Sequence, residues 1–422
     1  MPRTLLKRTV ILAGLLLAVS LNAQADAYGD ARAELIEAYR TQDYAAMRQA
    51  ADKSLLARPL FPGALFNRAL AETLDEDYAA AMATLQQLAD MGIHFGVADI
   101  DEFAPLKVLP SWAGFERRVA ELDKPVGEVT VAARHSRRDF VPEGIATGES
   151  GEIYLGSIRQ GTIVRLGSNA EILSEGVYDD HWSVFGMRRA GNKLWFASSA
   201  VPQYAQVDAS IAGDAGLFCL NLDTHTITRH AVLPDNGGTQ VLGDLVINGN
   251  DIFTTDSVSG ELYHYSIRND TFTEIVAAGT FRSPQGLALD ESGEHLYVAD
   301  YNGGLFRVSL ADGATRKLKM PAAISDYGID GLYRFNNELI AIQNGIRPHR
   351  VVAMRLSDDG LGVVSSRTLA ANLAAFDEPT LGTIVGSDLL FVANSHWNRF
   401  DRDNNLPEDL EGPIILRVSL EN

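Results

Sequence analysis

At 422 residues and 46% hydrophobic content, the chain is long enough for two domains and apolar enough to bury a core, which excludes a low-complexity or disordered polymer. Its 55 acidic residues against 36 basic ones give a formal net charge of −19, a surface that repels phosphate and speaks against a nucleic-acid partner. The single cysteine, Cys219, excludes an intrachain disulfide, so stability has to come from packing.

Residues 1–25 read as a secretory signal peptide. Arg3, Lys7 and Arg8 precede the apolar run Ile11 to Leu21, and Ala23-Gln24-Ala25 provides small residues for cleavage. The expectation is a periplasmic or secreted protein with no membrane span in the mature chain, and no cysteine lies nearby to carry a lipid. Removing the leader takes three basic residues and moves the formal charge to about −22.

Residues 28–122 are rich in Ala and Glu, with apolar residues three and four apart, and predict a helical domain. Asp43-Tyr44 and Asp77-Tyr78 fall 34 residues apart in two segments sharing one frame, which resembles a pair of tetratricopeptide repeats. Glu102 to Leu122 then reads as a closing helical segment. Such repeats serve either as a docking surface for a protein partner or as a stiff cap, and the cap is the simpler reading.

From 126 to 422 the pattern is β throughout. A template unit runs from Ser283 to Leu310: strands at Leu287 to Asp290, Leu296 to Ala299 and Leu305 to Leu310, separated by Glu291-Ser292-Gly293 and Asn302-Gly303-Gly304, with a fourth strand near Thr315 to Lys319. Its opening motif recurs at Gly144, Gly186, Asp244, Gly286, Gly331 and Gly382, at intervals of 42, 58, 42, 45 and 51 residues. Four-stranded units repeating in the forties predict a six-bladed β-propeller, an all-β domain behind the α-helical one. Ile414 to Ser419 is the last strand, and Glu128 to Arg134 is expected to pair with it and close the ring.

Comparing the six units separates scaffold from site. The second strands end in Ser157, Ser198, Asp256, Asp300, Gln343 and Asn394, all suited to bonding turn backbone, so this column is expected to serve the fold. The position before the motif holds Glu143, Phe185, Gly243, Gln285, Asp330 and Leu381 and varies in character. The innermost strands surround a channel, so this column forms one mouth, where Glu143, Gln285 and Asp330, with Asp244 adjacent and Glu378 upstream, could converge on a cation such as calcium. Loops between second and third strands return to the same face and carry Arg159, Tyr204, Arg347, His349, His396, Trp397 and Arg399, a set suited to a small polar or anionic organic ligand.

Pro142-Glu143-Gly144-Ile145, Pro284-Gln285-Gly286-Leu287, Ile329-Asp330-Gly331-Leu332 and the segment Tyr297 to Gly304 resemble the regucalcin/gluconolactonase family of six-bladed propellers, related to strictosidine synthase and the paraoxonases. The resemblance covers roughly 126–420. It implies a divalent metal, commonly calcium, held by channel residues and polarising a lactone carbonyl while an acidic residue assists hydrolysis. Carried over, the metal ligands would be Glu143, Asp244, Gln285 and Asp330, with Asp330 the acidic catalytic residue; outside that inherited set, the loops add His349 as a second catalytic candidate and Arg159, Arg347 and Trp397 as ligand contacts. The family's third-blade asparagine is Gly243 here, and Asp330 comes one blade later than the usual aspartate. The expected function is an exported metal-assisted hydrolase of a lactone or related ester; the alternative is a non-catalytic binding propeller with a helical docking domain.

Overall fold

The computed structural model describes residues 27–167, 170–176 and 181–421; the expected signal peptide at 1–25 lies outside the described residues. The chain divides into two compact units, the first up to Ala120 and the second from Glu121. Among the described residues no helix is long and apolar enough to cross a membrane.

The first unit holds helices α1 (Ala27–Thr41), α2 (Tyr44–Ala57), α3 (Pro62–Leu74) and α4 (Tyr78–Asp90), and α5 (Trp112–Leu122) follows two 3-10 segments. The recurring Asp-Tyr pair has a local cause. Asp43 caps α2 by accepting from the Ala46 amide at 3.0 Å, and Asp77 caps α4 by accepting from the Ala80 amide at 3.2 Å. Between α3 and α4, the buried Glu72 is served by Arg68 at 2.8 Å and by the Thr84 hydroxyl at 2.7 Å, so this carboxylate is part of the packing.

The second unit is a six-bladed propeller. Its blades are six antiparallel four-stranded sheets, the first five in sequence order. The first holds β2 (Pro142–Thr147), β3 (Ile153–Ser157), β4 (Ile163–Leu166) and β5 (Glu171–Ser174), and the second β6 (Ser183–Ala190), β7 (Lys193–Ser199), β8 (Ala215–Asn221) and β9 (Thr226–Val232). The third holds β10 (Leu242–Asn248), β11 (Asp251–Asp256), β12 (Leu262–Ser266) and β13 (Thr271–Val276), and the fourth runs from β14 (Pro284–Leu289) to β17 (Thr315–Lys317). The fifth holds β18 (Ile329–Phe335), β19 (Glu338–Gln343), β20 (Arg350–Leu356) and β21 (Val363–Ala371), and the sixth is made of β22 (Gly382–Val385), β23 (Asp388–Val392), β24 (Ile414–Ser419) and β1 (Val129–Arg134). The template blade, the fourth, has β14 (Pro284–Leu289), β15 (His295–Asp300), β16 (Gly304–Ser309) and β17 (Thr315–Lys317), within a few residues of the sequence expectation. Closure is as expected: β1 (Val129–Arg134) pairs with β24 (Ile414–Ser419), from Val129 opposite Val418 to Arg134 opposite Ile414. The first strand of the propeller thereby covers what would be an open edge.

Close contact between neighbouring blades explains why the opening motif is legible. A Cβ on Gly144, in β2 (Pro142–Thr147), would lie 1.9 Å from the Phe185 carbonyl oxygen in β6 (Ser183–Ala190) of the next blade. One on Gly186 would lie 2.3 Å from Asp244 Oδ1 in β10 (Leu242–Asn248). Only a residue without a side chain lets adjacent innermost strands approach so closely. Blade three breaks the pattern by placing Asp244 there.

The second-strand column bonds backbone in every blade. Asp300 accepts from the amides of Arg282, Ser283 and Asn302, and Asp256 from those of Val241, Val258 and Ser259. Ser198 accepts from the Trp182 amide, and Ser157 donates to the Phe140 carbonyl. Gln343 donates to the carbonyls of Ser325 and Tyr327, and Asn394 accepts from the Ile414 amide. Each end of an inner hairpin is thus tied down by one polar side chain.

Candidate functional site

Three carboxyl groups meet at the channel mouth, each held by one donor from a different element. Glu143, at the start of β2 and 5% exposed, accepts from the Trp397 indole N–H at 2.7 Å. Asp330, in β18 (Ile329–Phe335), accepts from Asn344 Nδ2 at 2.7 Å. Glu378, just before β22 (Gly382–Val385), accepts from the Asn398 backbone amide at 2.6 Å. Trp397 and Asn344 both come from loops that follow second strands, so those loops and the opening column share one face, as the alternation of strand direction requires.

Crowding acids in a poorly hydrated mouth makes each harder to ionise. Burial pushes Asp330 up to about 7, with the Asn344 hydrogen bond opposing and the charges of Glu378 and Asp244 adding to the rise. Glu143 is raised well above the ordinary carboxyl range by burial first and by the charge of Asp330 next, against the Trp397 hydrogen bond. Burial also raises Glu378. Near neutral pH the mouth therefore keeps protons that exposed carboxyls would have lost.

Asp244 does different work. It is 1% exposed and pairs with Arg188 Nη2 at 2.9 Å. Arg188 also lies over the Tyr333 ring, 5.5 Å from its centroid, and the Tyr333 hydroxyl accepts from the Gly382 amide at 2.5 Å. Arg188 and Tyr333 stand three residues past Phe185 and Asp330 on their strands, so they form a layer about 10 Å along the channel from the mouth. Burial opposes the Arg188 charge, but Asp244 and Tyr333 more than offset this and the guanidinium is stabilised.

Of the remaining expected residues, Gln285 donates to the Ser283 hydroxyl at 3.0 Å. His349 is held down to about 4, first by burial and then by the Arg347 charge, so it is neutral at pH 7; among the described residues it makes no side-chain hydrogen bond to Glu143 or Asp330. Arg347 is exposed and acts on Glu378 through its charge. Arg159 is placed elsewhere: its guanidinium donates to the Gln203 carbonyl at 3.1 Å and its own carbonyl accepts from the Ala205 amide, packing two loops of blades one and two. His396 bridges Asp377 and the Glu411 carbonyl, organising the loop that presents Trp397.

The expected metal ligands do not form a chelating set. Asp244 is committed to Arg188, the third-blade position is Gly243, and among the described residues no group of three or more His, Cys, Asp or Glu side chains is arranged to hold an ion. The donors present do not fit calcium.

Four residues of the site were not singled out from sequence: Arg188, Tyr301, Tyr333 and Asn344. The repeat contains a signal for each. Residues three past the opening column are Ala146, Val246, Ala288 and Ile384 in four blades, against Arg188 and Tyr333 in the others. The position after the turn-bonding column is Ile158, Ser199, Ser257 and Ser395 in four blades, against Tyr301 and Asn344. Tyr301 is raised by burial and by the charges of Asp330 and Glu378, and its ring fits because Gly345 has no side chain: a Cβ there would lie 2.6 Å from the phenol oxygen.

Fold and site together define a six-bladed propeller with a proton-holding acidic mouth. No family model and no curated protein matches the chain. Among solved structures it is similar to regucalcin of Agrobacterium tumefaciens, a calcium-binding protein, at 16% identity and a TM-score of 0.48 over 68% of this chain and 95% of that one. It is also similar to virginiamycin B lyase of Staphylococcus aureus, at 14% and 0.48 over 69% and 100%, and to a proposed glucose dehydrogenase of Thermus thermophilus, at 13% and 0.49 over 69% and 99%. At these identities the likeness is one of fold.

Proposed function

We propose that the channel mouth hydrolyses a small polar ester or lactone by proton transfer between Glu143 and Asp330. The observation that carries this reading is a buried glutamate and a half-buried aspartate at one mouth, each held by a single donor and each raised above the ordinary carboxyl range by burial, so that a proton donor and a proton acceptor can stand side by side near neutral pH. Ionised Asp330 takes a proton from water as the water oxygen attacks the carbonyl carbon. Protonated Glu143 then donates to the departing alkoxide oxygen as the C–O bond breaks, giving an acid and an alcohol, or a hydroxy acid from a lactone. The Trp397 and Asn344 hydrogen bonds fix the two carboxyls in place, and neutral His349 serves the rim as an acceptor. The metal-assisted version implied by the family resemblance lacks a fitting ligand set, so no step is routed through an ion. The leader-like residues 1–25 support placing this reaction outside the cytoplasm.

A panel of esters and lactones followed by pH-stat tests the reading. Turnover should resist chelators and fall about 10²- to 10⁴-fold in Asp330→Asn with the melting temperature retained. Full activity in both Asp330→Asn and Glu143→Gln would refute the proton-transfer roles.

A further inference from the structure

Hydrogen-bond acceptors outnumber donors at the mouth. Glu143, Asp330 and Glu378 each receive one donor, from Trp397, Asn344 and the Asn398 amide, and among the described residues the other oxygen of each receives none. Asn344 adds a further acceptor. It is 9% exposed, and its NH2 is bound to Asp330 while Oδ1 of the same amide is buried without a partner. Buried acceptors in folded proteins are almost always served by protein, water or ligand. Water would satisfy hydrogen bonding but brings no charge to three acids that oppose one another's ionisation.

Among the described residues no lysine or arginine donates a hydrogen bond to these three carboxyls, and Arg347 reaches Glu378 through its charge alone. Arg188 is paired with Asp244, and Arg347 is exposed at the rim with no ion pair among the described residues. Aromatic surface is at hand: the Trp397 ring lies 6.2 Å from that of Phe185, and Tyr301 lies near Asp330 and Glu378. Ring faces and carboxylates together favour a cation with a carbon body.

We propose that the mouth binds a small organic ammonium ion, whose three N–H groups serve the unpaired oxygens of Asp330, Glu378 and Asn344 beside Glu143 while its carbon body rests on Trp397 and Tyr301. An ammonium suits acceptors spread over several side chains, whereas a bare divalent ion needs a tight ligand group, and among the described residues no three His, Cys, Asp or Glu side chains form one. Of the loop arginines expected to hold an anion, Arg159 donates instead to the Gln203 carbonyl in the packing of two neighbouring loops. This inference rests on the reading above for the place of binding and refines its substrate to an ester or lactone bearing an amino group.

The test titrates the full chain with butylammonium, and in parallel with 1-butanol, butyrate and calcium at matched ionic strength. Two readouts are followed: the melting temperature and the Trp397 indole N–H resonance, assigned with Trp397→Phe. Butylammonium alone should raise the melting temperature and move that resonance, and Glu378→Gln should weaken its binding about tenfold or more. Asp330→Asn takes the place of Glu378→Gln if the latter does not fold. An equal response to butanol or butyrate, a response to calcium alone, a stationary indole signal or undiminished binding in the variant would each overturn the proposal. Ammonium binding without ester turnover supports this inference and defeats the hydrolytic reading; turnover without ammonium binding does the reverse.

Discussion

Neutralising Asp244 tests whether this residue belongs to the scaffold or to the ligand site. Asp244→Asn keeps the side-chain shape and leaves the Arg188 guanidinium without its counter-charge, in a setting where Asp244 is 1% and the Arg188 side chain 19% exposed. Breaking a buried ion pair costs about 3 to 5 kcal/mol. The residual exposure of Arg188 and the Tyr333 ring beneath it place the expected loss at the lower end, near 3 kcal/mol. For a unit of roughly 300 residues the unfolding entropy is about 0.6 kcal/mol/K at the midpoint, so the propeller transition should fall by about 5 °C in calorimetry. The double variant Arg188→Met, Asp244→Asn buries neither charge and should recover most of that loss. An Asp244→Asn protein that melts within about 1 °C of the parent but no longer binds any ligand at the mouth would refute the scaffold role.

Two further outcomes follow from the same geometry. Asp330 is raised from its ordinary 3.8 to about 7, so between those values the folded chain holds a proton that the unfolded chain has released; its contribution to stability is present below pH 4 and lost as pH rises through 7, and Asp330→Asn should flatten this part of a melting-temperature profile. Gly144→Ala places a methyl group 1.9 Å from the Phe185 carbonyl oxygen, so denaturant unfolding should show a loss of at least about 1 to 3 kcal/mol, and parental stability would contradict the blade-contact account.

Propeller and turn-bonding column were legible because each follows from a constraint repeated from blade to blade, and the closing strand because the sixth repeat lacks a fourth strand of its own. A glycine at the opening motif marks five of the six repeats, and a polar residue that ties down a hairpin marks all six. The site was only half legible for the same reason. Glu143 and Asp330 stand out as departures in a column already under comparison, but the partner of each is set by a loop whose path no repeat encodes. Arg159 shows the difficulty: an arginine above an acidic mouth suggests an anion clamp, yet the loop at 201–214 passes close enough to take its guanidinium through the Gln203 carbonyl. Asp244 misled in the opposite direction, since its acidic character suggested a metal ligand while the residue that consumes it, Arg188, lies 56 positions earlier.

The exception at Asp244 links scaffold to chemistry. Gly186 leaves the space that the Asp244 carboxylate occupies, and the carboxylate in turn holds Arg188 across the channel against Tyr333. Burial is the largest cause of the raised proton affinity of Glu143 and Asp330, and the charge of the buried Asp244 adds to it in both. The one blade that gives up its small residue therefore helps set the protonation of carboxyls contributed by two other blades. Neutralising that charge in Asp244→Asn should therefore move the apparent pKa of Asp330 back toward the ordinary carboxyl range without any change at the mouth itself, and an unshifted Asp330 titration would contradict the coupling.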